Sequence, residues 1–589
     1  MRDVIVIGAG GGGPVVAKEL AARGLDVLLL EAGARNADPD REWTDLENDA
    51  NNFTKGYFRY GPSDRSKPAW FRELPQNSYL WQVAGVGGTT LHYFGNSPRA
   101  YPGTFSGYAG PDAAAYDSAH RFPFTYGELV PYYEWVEATL PVQTAPMGTK
   151  EEVWYGGWEN LGYPVQRGRD ITMDAYRPQQ NAILQPGGTA GRTTDSAALQ
   201  FPQATGCTFC GYCLQGCNNP PAAPRNLKAK RSTDTSYVPM AITAHAWAPG
   251  GRPVTLVTDA YATRIRSTRD LLGRVTARGV TWRDTRTGET LTEEGKVVVL
   301  SAGCVEGPRL WLNSGLPNPN GWVGRGLTDH AFDWVVGLFP FDTGSSRGAQ
   351  SQARADFPGR GGMENVGLPP ASEGISLGLS DSGIRGAYDN GAGPTGPWDG
   401  QAGRPLGAEL KEVQDNVDRQ LNVLILTDDD VERGNRVDLS VLPPDEHGRV
   451  PRVRMAKRTR SARTRANREF LAAKATESLR AAGATKVIRI DMAPLMLHLQ
   501  SSLRMGTSAS DSVLDADARA RWVRGLYVAD NAALANACGG ANPTLTTQAL
   551  ATRTAERIFA THFGGDPWVG AEAPVVSTDD GIAAALAHG

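Results

Sequence analysis

Two continuous apolar runs open the chain, VIVI at positions 4–7 and VLLL at 27–30. Between them lie a glycine-rich turn and PVVAKELAA, whose apolar positions recur at helical spacing, so residues 3–33 predict a strand, a turn, an amphipathic helix and a second strand. A third apolar run, VVVL at 297–300, and a short fourth, LYV at 526–528, predict further strands. Near the end, Asn542-Pro543-Thr544 opens an Ala/Leu/Thr-rich helix, with Asn542 expected at the N-cap and Pro543 at the first helical position. Within residues 123–142, Tyr132, Tyr133 and Trp135 are expected to be core or interface aromatics. The stretch 343–407 is rich in Gly and Pro and carries few motifs. No run approaches the ~18 to 20 apolar residues that a membrane span needs.

Chemistry enters with the glycines. Gly8, Gly10 and Gly13 occupy the three places of G-x-G-x-x-G, which provide a tight turn, close approach of backbone to a pyrophosphate, and close helix packing. Glu31 ends the second strand, where a carboxylate accepts hydrogen bonds from ribose hydroxyls. The complete unit points to a dinucleotide, and by itself it leaves NAD and FAD open. Asp530 follows the LYV strand, and Asn542 would stand at the positive end of a helix, a setting that suits an anionic or electron-rich group.

From His498 the chain reads HLQSSLRMG, then the strand ending in Asp530, then NPT. This succession resembles the glucose-methanol-choline (GMC) family of flavin-dependent alcohol oxidoreductases, whose pattern is H-x-x-G-T-x-R-M-G, a strand ending in Asp, and N-P-T-x-T. His498, Arg504, Met505 and Gly506 match, while Ser501-Ser502 stands where the family has Gly-Thr. The VVVLSAG run at 297–303 and VGRGLTDH, ending at His330, are similar to further family segments. The resemblance implies FAD as cofactor, with Gly85, Gly87 and Gly88 in a second flavin-binding loop and Pro543 and Thr544 beside the flavin. It implies that His498 is the base and that Asn542 orients the substrate oxygen. His92 falls where some relatives attach flavin covalently and others do not, and both alternatives stay open.

The implied fold is α/β, or α+β overall: a Rossmann-like FAD-binding domain assembled from discontinuous segments, with an inserted substrate domain built on an antiparallel sheet with helices. The expected boundaries are 1–105, 206–332 and 495–565 for the FAD-binding parts, 106–205 for a substrate lobe and helical segment, 333–494 for the substrate domain, and 566–589 for a tail. Residues 435–453 are expected to form a hairpin over the active site, with Asp445 and His447 in a solvent-facing turn.

At 589 residues the chain is too long for one core. Its formal charge of -3 supplies no field for nucleic acid. The basic run 457–468 lacks interleaved aromatics and reads as a solvated helix face. Cytoplasmic location is expected, with export alongside a signal-bearing partner left open. Four of the six cysteines, Cys207, Cys210, Cys213 and Cys217, have the C-x2-C-x2-C-x3-C spacing of iron–sulfur ligation. A cluster there, with Cys207, Cys213 and Cys217 as ligands by resemblance to bacterial sugar dehydrogenase subunits, would favour a dehydrogenase passing electrons to a subunit or cytochrome; a plain thiol loop is the alternative. Cys304 and Cys538 are expected to be buried. The expected substrate is a small-molecule alcohol, sugars leading. The other readings are an oxidase acting on a non-sugar alcohol and a lyase with structural FAD.

Overall fold

The computed structural model describes residues 1–35, 79–80, 82–164, 174–185, 206–207, 209–214, 216–217, 228–378, 395–441, 443–456, 459–491 and 495–577. Lys457, Arg458 and the end of the tail lie outside them.

The apolar runs become the centre of a parallel sheet. Arg2–Ile7 lies between Thr290–Leu300 and Val27–Leu30, with Ile5 opposite Val298 on one side and Leu28 on the other. Leu526–Val528 joins beyond Thr290–Leu300, and Thr255–Val257 beyond Val27–Leu30. Sheet neighbours therefore come from the start, middle and end of the chain. Val4, Val6, Val298 and Leu526 have no exposed surface, as expected of strands covered on both faces. The helix Gly13–Ala22 is buried along its whole length and packs against the C-terminal helix Thr544–Phe563.

The second sheet is antiparallel. Its order is Lys486–Arg489, Asp333–Leu338, Gln420–Thr427, Gly361–Val366, Ala353–Phe357, Ala175–Pro178. Alternation along the strands gives it two different faces. Val335, Ile425, Met363, Ala355 and Tyr176 pack under the helix Ala462–Ala481 through Leu471, Ala475 and Leu479. On the opposite face, Trp334, Leu424 and Leu426 make an apolar end, and Arg177, Arg354, Asp356 and Glu364 a charged one.

Three expectations need correction. The C-terminal helix begins at Thr544 with Pro543 at its N-cap, so Asn542 lies just before the helix. The hairpin of Arg436–Leu439 with Pro451–Arg454 exists, but its described residues line no part of the cavity below, and His447 is buried against the Tyr261 ring. The basic run is not simply solvated: Arg460 is buried on Asp429, and Arg463 pairs with Asp428 and Asp430. Charge spacing alone does not reveal such partners.

Candidate active site

One cavity runs between the two sheets. At its dinucleotide end the walls are backbone. A side chain on Gly12 would come within 1.9 Å of the Ala529 carbonyl oxygen, and one on Gly13 within 2.0 Å of the Gly8 carbonyl oxygen. Gly88, at a φ of +50°, stands against Gly10, where a Cβ would lie 2.7 Å from its Cα. Gly87 is left-handed too and donates its N–H to the Ala9 carbonyl at 2.8 Å. Gly13, Gly85 and Gly87 support the turn from behind, while Gly8, Gly10 and Gly88 line the cavity. The decisive contact, at Gly12, lies between the motif positions and was missed.

Glu31 is buried, with one carboxylate oxygen accepting the Ala9 N–H at 2.8 Å and the other the Gly33 N–H at 2.8 Å. Burial pushes its carboxyl up to about 7 against those hydrogen bonds. Asp530 accepts from the Gly303 N–H at 2.7 Å and the Ala532 N–H at 2.7 Å, and burial raises it to about 6. Glycine walls with no room for side chains, and a carboxylate held at a strand end, fit the diphosphate and ribose of a dinucleotide.

His498, Asn542, Pro543 and Thr544 line the other part of the same cavity, as does His92, whose Nδ1 lies 2.7 Å from the Leu214 carbonyl oxygen. His498 is held from two sides: its backbone N–H donates to Asp329 Oδ1 at 2.8 Å, and its Nδ1 is 3.0 Å from His330 Nδ1. His330 Nε2 is 2.8 Å from the Ala537 carbonyl oxygen, which can only accept, so the proton of His330 sits on Nε2. His330 Nδ1 then accepts from His498 Nδ1–H, and His498 keeps the lone pair of Nε2. Gln500 Nε2 also lies 2.9 Å from His330 Nε2, and it donates to the His498 carbonyl oxygen at 3.0 Å. Burial drives His330 down to about 3 and His498 well below the usual histidine range, so both rings are neutral near pH 7.

The turn behind His498 keeps a left-handed residue although serine replaces glycine: Ser501 has a φ of 69°. His330 at 49° and Ala331 at 36° are left-handed too. Such strain persists only where surrounding structure imposes it, and it gathers here around the histidine pair. The sequence marked His330 only as the end of a turn motif, and gave no role to Arg354, whose Nη1 lies 3.2 Å from Asn542 Oδ1.

For the cysteine loop, the iron–sulfur alternative finds no support. Cys207, Cys213 and Cys217 pack in a small apolar cluster with Ile183, Ala229 and Ala349, while Cys210 is exposed. Burial pushes the Cys213 thiol up to about 11 and Cys207 well above its usual value. Among the described residues no three His, Cys, Asp or Glu side chains are grouped to hold a metal. An iron–sulfur cluster in this loop is therefore unsupported. Spacing sets only how far the four cysteines can reach, and left-handed turns at Phe209 and Gly211 flank Cys210 and carry it to the surface.

Family models described as GMC oxidoreductase match residues 73–332 and 435–551. The chain belongs to the GMC oxidoreductase family. Over nearly its whole length it is similar to two curated members: paromamine 6'-oxidase of Streptomyces fradiae, 26% identical over 94% of this chain and 91% of that one, and 2-methyl-1,2-propanediol dehydrogenase of Mycolicibacterium austroafricanum, 27% identical over 94% and 95%. Pyridoxine 4-oxidase from Mesorbium loti shares the fold at a TM-score of 0.58 and 15% identity, over 95% of this chain and 99% of that one. As a GMC oxidoreductase, this chain has the FAD-binding Rossmann-type fold and is an oxidoreductase of alcohol or sugar-like CH–OH groups.

Proposed function

We propose that the protein oxidises a CH–OH group, on a sugar or glycoside first among candidates, with His498 as the base. The observation that carries this reading is the single cavity that joins the glycine cradle to a neutral, oriented histidine and to Asn542. Bound FAD supplies the hydride acceptor. Gly8 to Gly13, Glu31, Gly85 to Gly88, Asp530, Pro543 and Thr544 would hold it. His498 Nε2 takes the hydroxyl proton, and its Nδ1–H stays committed to His330, which keeps the ring in register as charge builds on it. Asn542 donates to the oxygen that is losing its proton. Phe332, whose ring centroid lies 5.1 Å from that of His498, excludes water on that side.

A location in the cytoplasm and a small-molecule or protein electron acceptor belong to the same reading; the preference for a dehydrogenase rested on the cluster and falls with it. No helix among the described residues is long and apolar enough to cross a membrane. The test is anaerobic mixing of the FAD-loaded enzyme with D-glucose, 2-methyl-1,2-propanediol and paromamine. Loss of the oxidised flavin spectrum with any of them supports alcohol oxidation, and an unchanged spectrum across a wide alcohol and sugar panel sinks it in favour of the lyase. Admitting oxygen then separates oxidase from dehydrogenase by the rate of peroxide formation. Acid precipitation shows whether His92 is bonded to the flavin: colour that stays with the protein means a covalent link.

A further inference from the structure

The charged end of the antiparallel sheet faces the cavity with a cross-strand row. Arg177, Arg354 and Glu364 stand opposite one another on adjacent strands, and the row continues to Leu424. Arg354 and Glu364 are fully buried. Arg354 Nε donates to Asp356 Oδ1 at 2.6 Å, and Arg177 Nε to Asp356 Oδ2 at 2.7 Å. Arg354 Nη1 reaches Asn542 Oδ1 at 3.2 Å and Glu364 Oε1 at 3.4 Å. Room for this guanidinium is made by a missing side chain: a Cβ on Gly362 would lie 2.6 Å from Arg354 Nη2.

Packing alone does not call for this arrangement. The other end of the same face is filled by Trp334, Leu424 and Leu426, and well-packed apolar residues serve stability at least as well as buried ion pairs. The charges meet Asn542 from two sides. Its Oδ1 takes an N–H from Arg354, and its amide also bonds Glu364. Both Glu364 oxygens already accept, one from Gln179 Nε2 at 2.8 Å and the other from Asn96 Nδ2 at 2.8 Å, so Glu364 receives the amide's NH2 end. Turned end for end, Asn542 would set its oxygen against a carboxylate and its NH2 against a guanidinium.

We propose that Arg354 is a positioning residue for the oxidation: with Glu364 it locks the Asn542 amide so that an N–H donor, and never the amide oxygen, meets the substrate oxygen. The inference rests on the roles given above to His498 and Asn542. An amide oxygen at that place would compete with His498 Nε2 for the hydroxyl proton and would repel the developing alkoxide. An N–H stabilises that charge and leaves the proton one acceptor.

The experiment uses FAD-loaded enzyme and two probes. Acetate, an unreactive anion for the alkoxide position, is titrated through its perturbation of the flavin spectrum. 2-Methyl-1,2-propanediol and D-glucose are used for anaerobic flavin reduction. Arg354→Met is expected to weaken acetate about tenfold and to slow flavin reduction about ten- to a hundredfold, with substrate KM little changed. In an Asn542→Ala background the same substitution is expected to change either quantity less than about twofold, because the residue through which it acts is gone. Gly362→Ala keeps every charge but displaces the guanidinium tip, and is expected to lower both quantities with normal FAD content; it carries the test if Arg354→Met does not fold. Arg354→Met should also raise the pH at which activity is gained. The charged and titratable groups that face His498 are His330, Asp329 and Arg354; burial depresses it most, then His330, then the Arg354 cation, whose share the substitution removes. Equal losses in the presence and absence of Asn542, or no acetate binding to the wild type, would overturn the proposal. Wild-type enzyme that binds acetate but is reduced by no alcohol would count against the proposed function while leaving the locked amide standing.

Discussion

The two ends of the cavity are built by opposite means. The dinucleotide end is shaped by absence: Gly12 against Ala529, Gly13 against Gly8 and Gly88 against Gly10 bring backbone onto backbone, and Glu31 is the charged side chain that ends the strand there. The substrate end is shaped by side chains whose charges and donors must point in particular directions: His330, His498, Asn542, Arg354 and Glu364. Steric sites tolerate no added atom but are indifferent to charge. Electrostatic sites accept small changes of bulk and fail when a donor or charge is lost.

The contrast is sharpest at the base. His498→Ala should slow flavin reduction by about two to four orders of magnitude while FAD content stays near normal, since it removes a proton acceptor and touches no cradle contact. Stopped-flow reduction alongside flavin quantitation checks this, and a variant that loses its FAD instead would blur the division between the ends. At the steric end, Gly12→Ala should cost about 3 kcal/mol or more and yield little FAD-loaded protein, because its Cβ would meet a carbonyl oxygen at 1.9 Å. Gly10→Ala meets no described protein atom closer than 4.0 Å, so its apoprotein should melt near wild type even if FAD is held more weakly. Equal melting losses in the two variants would remove the steric account.

Acid separates the ends more gently. His498 and His330 are both depressed below the ordinary histidine value of 6.5. A base with a depressed pKa stays unprotonated as the pH falls through 6.5, so the acid limb of kcat/KM should lie below that value. Unfolded chains bind these protons first, so stability should also decline as the pH drops below 6.5. A limb at or above 6.5 would mean that another group titrates in the reaction. The smallest effect belongs to the loop: Cys210→Ser, at an exposed side chain, should change stability by less than about 0.5 kcal/mol, and protein purified without oxygen should carry no stoichiometric iron in elemental analysis.

How legible each end is in the sequence follows from the same contrast. A turn, a helix and a strand end are local, so the glycine unit and Glu31 stand together within about thirty residues and their spacing carries the geometry. Even so, Gly12 escaped notice, because its partner Ala529 is distant in the chain. Arg354, Glu364 and Asn542 come together only through the register of an antiparallel sheet and the docking of two lobes, and neither leaves a periodic trace near those residues. The cysteine spacing leaves its two readings open for a related reason: it is equally compatible with convergent thiolates and with three buried thiols and one turned outward.

The strand Leu526–Val528 pairs with residues 298–300, and the Gly12 turn closes on Ala529. A ribosome must therefore have made nearly the whole chain before the first glycine loop acquires its back wall. Until then the strand Thr290–Leu300 lacks its sheet neighbour from the far end of the chain and leaves that edge open. Closing contacts over such separations is slow, and an incomplete parallel sheet exposes edges prone to association. The nascent N-terminal half is thus a natural client for chaperones, and a chain truncated before residue 526 would be expected to accumulate as aggregate, not as a cofactor-binding fragment.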